Sequence, residues 1–212
     1  MAYYIVYWPQ DRVEELKKAG DTGPIKVVYG SIHSRMPTIA SIKEGDVVFP
    51  ITLTKKKLYV MARLPVTHRE RAFDYCIREL GADYSSLIPE GIAMEVSETF
   101  YYTWDCKSYD CAEAVPEGIQ IVHKTDKPHQ LHQEPFNCCS KWAVWGEEGS
   151  SITPRLLPDE VIPLLRFGYP KSKEKALRLD EKGNPLFMSL TCTRRMSEET
   201  TKIFDKLFNE EN

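Results

Sequence analysis

Four tryptophans and one short polar stretch are the residues in this chain best suited to recognition chemistry. Trp8 ends an aromatic, β-branched run at the start of the chain, Trp104 sits in a second aromatic run, and Trp142 and Trp145 lie three apart just before Gly146 and Gly149. The stretch Ser31-Ile32-His33-Ser34-Arg35 adds hydroxyls, an imidazole and a guanidinium. An indole face can stack on a nucleobase or cage a cation, and a nearby Ser or Arg can read a base edge or hold a phosphate. Trp is also an ordinary core and boundary residue, so each of these positions has a packing reading beside the functional one.

A second constellation lies between residues 106 and 139, where Cys106, Cys111, His123, His129, His132, Cys138 and Cys139 supply seven potential zinc ligands. Their spacing departs from the short Cys-x-x-Cys knuckles of structural zinc sites, and adjacent cysteines rarely chelate one ion. Buried free thiols and surface histidines are therefore the reading here, with no metal and no cofactor expected. Cys138 or Cys139 with His123 or His132 would be the pair for thiol chemistry, but no nucleophile signature surrounds them. Asp105 with Asp110, and Glu147 with Glu148, read as surface charge. The chain contains no phosphate-binding Gly-x-x-x-x-Gly-Lys loop, no Gly-x-Gly-x-x-Gly, no His-Glu-x-x-His and no Gly-x-Ser-x-Gly, so no motif names a reaction.

Composition bounds the class. With 212 residues, 42% hydrophobic and 28% charged, the chain is an ordinary globular one of one or two domains. No apolar run approaches the roughly 18 residues of a membrane span, and Met1–Trp8 reads as a strand rather than an export signal. A soluble, cytoplasmic protein with reduced thiols is expected. The net charge of −3 argues against coating nucleic acid by bulk charge. The distribution is uneven, however. Residues 43–78 hold eight Lys/Arg against four Asp/Glu and 155–195 nine against five, whereas 81–120 hold one against eight. Such asymmetry can set a basic face opposite an acidic one.

The elements that must position these residues follow from pattern. Strands are expected at 3–8, 26–29, from Val47, at 58–66, 92–96, 99–104, 119–123 and 136–145. Helices are expected after Asp11, at 68–80 from a Thr67/Glu70 capping box, from 159 to 167, and after a Ser197 cap. Gly45 suits a tight turn, Thr54–Lys57 a hairpin tip, and Asp180–Pro185 the turn of a hairpin joining 177–179 to 186–192. Strands outnumber helices and do not alternate with them. That pattern predicts an α+β fold, mainly antiparallel, with a barrel-like sheet and flanking helices.

The opening strand Tyr3-Tyr4-Ile5-Val6-Tyr7-Trp8, the turn Ile42-Lys43-Glu44-Gly45-Asp46-Val47-Val48-Phe49 and the strand Leu58-Tyr59-Val60-Met61-Ala62-Arg63 together resemble the PUA-like barrel superfamily, which includes the EVE, YTH and ASCH groups. The resemblance implies a barrel core in residues 1–81, with 82–212 forming the rest of the barrel or a second small α+β region. It also implies a nucleic-acid or modified-base binding module. Its pocket would be lined by Trp8, by Ser31, His33 and Arg35, and by Trp142 or Trp145, with Trp8 stacking, Ser31 bonding a base and Arg35 on a phosphate or base edge. The alternatives are a small hydrolase on a nucleoside-like substrate, as in some ASCH-type barrels, a cysteine-dependent enzyme using residues 106–139, and a protein-interaction module of mobile-element or host-defence type.

Overall fold

A computed structural model of the chain describes residues 1–31, 39–80, 127–134, 140–168, 174–191 and 193–209. The first strand, β1 (Tyr3–Tyr7), has Tyr4, Ile5 and Val6 buried, as expected of a strand covered on both faces. It pairs in parallel with β3 (Val47–Thr54) and antiparallel with β11 (Thr193–Arg195). From β3 the chain turns into β4 (Lys57–Val60) through Lys55 and Lys56, both left-handed at φ 49° and 66°. A two-residue turn of that kind matches the twist of the strands it joins. Two short strands complete this sheet, β5 (Leu64–Pro65) on β3 and β8 (Arg155–Leu156) on β4.

A second sheet has the order β2 (Val27–Ser31), β7 (Ser140–Trp145), β6 (His68–Arg71), antiparallel throughout. A third joins β9 (Arg166–Phe167) to β10 (Lys175–Ala176). The fold is thus mixed α+β with mostly antiparallel pairs, as the pattern predicts. Among the described residues the strands form three sheets and no closed barrel. Strands β7, β8 and β11, which follow residue 82, complete sheets begun before it.

The large sheet is buried on both faces. Tyr4 and Val6 join a core of Trp8, Leu16, Val28, Ile39, Val48, Met61 and Val144, which helix α1 (Gln10–Lys18) covers through Leu16. Ile5 points the other way, to Phe49, Ile51, Val60, Leu165 and Phe204. Full burial of each such side chain is worth about 1.5–3 kcal/mol. That second face is covered by the C-terminal helix (Glu198–Asn209), whose Ile203, Phe204, Leu207 and Phe208 form the expected apolar stripe. Ser197 caps it, its hydroxyl accepting the Thr200 N–H at 3.1 Å.

Several expectations are corrected. The helix expected over 68–80 begins only at α2 (Ala72–Tyr75) and continues as a π-helical turn, Cys76–Leu80. Residues 68–71 pair with β7 instead, and the capping box does not form. The Thr67 N–H and hydroxyl both go to the Trp145 carbonyl, while the Glu70 carboxylate takes Arg78 in two 2.7 Å bonds. The strand expected over 58–66 is split into β4 and β5. The helix expected over 159–167 is a 3-10 turn, Asp159–Leu164, because Pro163 cannot donate to an α-helical ladder. The 177–192 hairpin is reduced to the bridge Leu179–Pro185, with Gly183 left-handed at φ 79°. The helix after Asp11 starts at Gln10, and Asp11 lies in its first turn. The strands expected at 92–96, 99–104 and 119–123 lie outside the described residues.

Candidate nucleic-acid interface

Strand β7 reads Ser-Lys-Trp-Ala-Val-Trp, and side chains alternate faces along a strand. Trp142 and Val144 therefore share one face, and Ala143 and Trp145 the other. The two tryptophans, three apart, cannot line one pocket. The packing agrees, since Val144 and Trp142 belong with the core around Trp8, whereas Ala143 and Trp145 pack with Val27, Tyr29 and Tyr75.

On the Trp145 face, register places His68 opposite the indole. The two rings are parallel within 8° at 4.2 Å. The Arg78 guanidinium lies 4.8 Å from the same indole and is fixed by its bidentate bond to Glu70. That hydrogen bond, opposed by a smaller desolvation cost, raises the arginine pKa above its ordinary value. The Trp145 ring is thus already stacked by the chain's own groups.

On the Trp142 face the cation is Arg69, its guanidinium 5.1 Å from the ring centroid. Arg69 also donates to the Ala40 carbonyl, which ties it to the 3-10 turn Ile39–Ser41. That turn reaches the sheet because Gly30, opposite Trp142, has no side chain. A Cβ there would stand 2.2 Å from Ile39 Cγ2. Trp142 is half-buried and Arg69 exposed, so their contact lies at the boundary of core and solvent.

Trp8 does not offer a stacking face at a strand end as the sequence suggests. It is 2% exposed within the core, and its indole N–H is sealed from solvent with no hydrogen-bond partner among the described residues. A buried unpaired donor costs about 1–3 kcal/mol. Ser31 ends β2 opposite Ser140, just past a register shift. His33 and Arg35 lie outside the described residues. The structure therefore brings Trp8 and Trp142 to one side of the small sheet and leaves Trp145 on the other. Sequence reasoning missed His68 and Arg69 because it assigned them to a helix. Their signal was the strand His-Arg-Glu-Arg, in which alternation sends His68 to one face and Arg69 to the other.

The histidines between 127 and 134 serve another purpose. This segment is strapped to the N-terminal half by Arg12, a residue 4% exposed, whose guanidinium donates to the carbonyls of Leu131 at 2.6 Å and Glu134 at 2.9 Å. Gln130 donates to the Gly23 carbonyl at 2.9 Å, and Tyr29 to that of Gln133. Both ring nitrogens of His132 are engaged, one by Asp21 and one by the Lys26 N–H, which leaves no lone pair for a metal. Among the described residues no group of three or more His, Cys, Asp or Glu could hold an ion. Cys76 is buried beside the Tyr29 hydroxyl at 3.6 Å, a packing position rather than an exposed thiolate. Cys106, Cys111, His123, Cys138 and Cys139 lie outside the described residues.

Among the described residues no helix is long and apolar enough to cross a membrane. No family, curated protein or solved structure matches the chain.

Proposed function

We propose that this chain is a binding module for nucleic acid, taking up an unpaired, flipped or modified base on the Trp142 face of its three-stranded sheet. The observation that carries this reading is the Arg69 guanidinium over the Trp142 ring, at the solvent boundary of the core that holds Trp8. A base entering there stacks on an indole or a guanidinium plane, the usual way an unstacked base is held. Trp8 lies behind this face, within the core cluster that Trp142 packs against. The resemblance of residues 3–66 to PUA-like proteins supports the same reading, with the open sheets taken as a PUA-like arrangement.

The test is fluorescence anisotropy with labelled single- and double-stranded oligonucleotides, plain and base-modified, at two salt concentrations. Base reading gives binding that depends on the modification and weakens only modestly with salt. Trp142→Ala and Arg69→Ala then lower affinity about tenfold each, in line with roughly 1–3 kcal/mol per stacked base, while Trp145→Ala, on the opposite face, spares it. No binding at low salt, or equal loss from all three variants, removes this site from consideration.

A further inference from the structure

A cavity of about 410 Å³ opens beside the β1–β11 edge, and its wall carries Lys175, Arg178, Arg194 and Arg195 together with Ser41 and Gly168. Ligand clefts usually fall between about 300 and 1,000 Å³. No Asp or Glu lines this one among the described residues. Asp180, two residues along the chain from Arg178, is engaged by other groups. Its carboxylate accepts from the Asn184 side chain and backbone and from Lys56 at 3.1 Å, bonds that hold its pKa well below the usual carboxylate range. Cations gathered on one wall repel each other, and an anion relieves that repulsion.

Arg194 separates this wall from an ordinary solvated patch. Its Nε is buried without a hydrogen-bond partner, and its Nη2 reaches the Met188 carbonyl only at 3.4 Å. A guanidinium has five N–H donors in a rigid fork that matches phosphate oxygens. Met188, 75% exposed, also lines the cavity and offers apolar contact beside the cations.

The geometry points to this cavity as a phosphate-binding site, built by Lys175, Arg178 and Arg194, for the phosphate of a nucleotide or of a nucleic-acid strand. It uses none of the residues of the base site and stands whether or not that site binds a base.

Lys175 and Arg178 are exposed, so the double variant Lys175→Gln/Arg178→Gln removes charge without touching the core. Wild type and variant are compared in thermal unfolding with inorganic phosphate against chloride at matched ionic strength, and in anisotropy with a labelled oligothymidylate. A phosphate site raises the wild-type midpoint in phosphate and not the variant's, or makes the strand bind about tenfold more weakly to the variant, with a salt slope shallower by about two units. A midpoint effect alone assigns the site to small phosphate ligands, and a strand effect alone to backbone phosphates. If neither ligand distinguishes the two proteins, the proposal is overturned. Trp142→Ala, run in parallel, leaves the inorganic phosphate effect intact, so failure of the base site and failure of this one are read separately.

Discussion

His132 sits with Nδ1 3.0 Å from both carboxylate oxygens of Asp21, while its own backbone N–H donates to the same carboxylate at 2.6 Å. The other ring nitrogen, Nε2, accepts the Lys26 backbone N–H at 3.1 Å, an arrangement that assigns the donor role toward Asp21 to Nδ1. Side-chain exposures of 0% and 2% place the pair in the interior. Burial by itself would raise the Asp21 pKa. The hydrogen bonds from His132, then from Gly23, outweigh burial and hold the carboxyl below its ordinary value.

Asp21→Asn therefore lowers stability by about 2–3 kcal/mol, the cost of a charged hydrogen bond lost and a buried donor left facing another donor. Because the folded pKa is depressed, the stabilisation is present above the unfolded value near 3.9 and disappears as pH falls through the folded one. Urea unfolding at pH 7 and at pH 3 checks both statements. A variant with the wild-type midpoint at pH 7 would mean that the pair contributes nothing to the fold.

Trp8→Phe separates the two possible uses of a buried tryptophan. Phenylalanine keeps an aromatic ring in the core and removes only the unpartnered N–H and some volume, so stability changes by less than about 1.5 kcal/mol. If the N–H serves a bound base, affinity for the preferred oligonucleotide falls about three- to tenfold, in keeping with about 0.5–1.5 kcal/mol for one hydrogen bond. Thermal unfolding and anisotropy on the same preparation give both numbers, and unchanged affinity assigns Trp8 to the core alone.

Much of the scaffold is readable in local pattern, because local signals there agree with burial. β1 is aromatic and β-branched with its three central residues buried, Gly45 is left-handed at φ 83°, and Ser197 caps a helix whose stripe packs inward. The sequence misleads where a distant partner overrides local preference. Thr67–Glu70 spells a helix start, yet β7, far along the chain, claims 68–71 as a strand. The same long-range pairing hid the site. The separation of Trp142 from Trp145 follows from strand periodicity once β7 is known. Arg69 over Trp142 could not be foreseen while Arg69 was placed on a helix. His132 shows the converse, since a histidine read from sequence as a surface residue is buried, with Asp21 and Lys26 on either side of its ring.

Gly30→Ala tests whether the Ile39–Ser41 turn must lie flat on β2. The added Cβ would meet Ile39 Cγ2 at 2.2 Å and Cβ at 2.4 Å, and both atoms are anchored near the backbone. Overpacking of this kind costs roughly 1–3 kcal/mol. The turn also carries Ala40, whose carbonyl holds Arg69, so displacing it moves the guanidinium off Trp142. The expected result is a lower urea midpoint together with weaker oligonucleotide binding, beyond the loss seen in a stability-matched variant at Phe204, on the far face of the large sheet. A stable Gly30→Ala protein with full affinity would contradict the close approach.

His129 supplies a pH dependence of the opposite sign to Asp21. Its Nδ1 lies 2.8 Å from the Lys127 carbonyl and its Nε2 2.6 Å from Glu134 Oε1. Both partners accept, so this site favours the imidazolium, the form that donates from both ring nitrogens. Burial works against that charge. The hydrogen bonds to Glu134 and to the Lys127 carbonyl overcome it and raise the pKa above 6.5. A folded pKa above the unfolded one gives stabilisation that is complete below the unfolded value near 6.5 and is lost as pH rises through the folded value. Other charges nearby are the Arg12 guanidinium, bonded to the Glu134 carbonyl, and the Lys127 ammonium, which donates to the Arg78 carbonyl. Unfolding midpoints measured from pH 5.5 to 9 should therefore fall with rising pH in the wild type and stay flatter in His129→Gln, which can still donate one of the two bonds. Parallel profiles for the two proteins would show that His129 is neutral in the folded chain and that the strap does not sense pH.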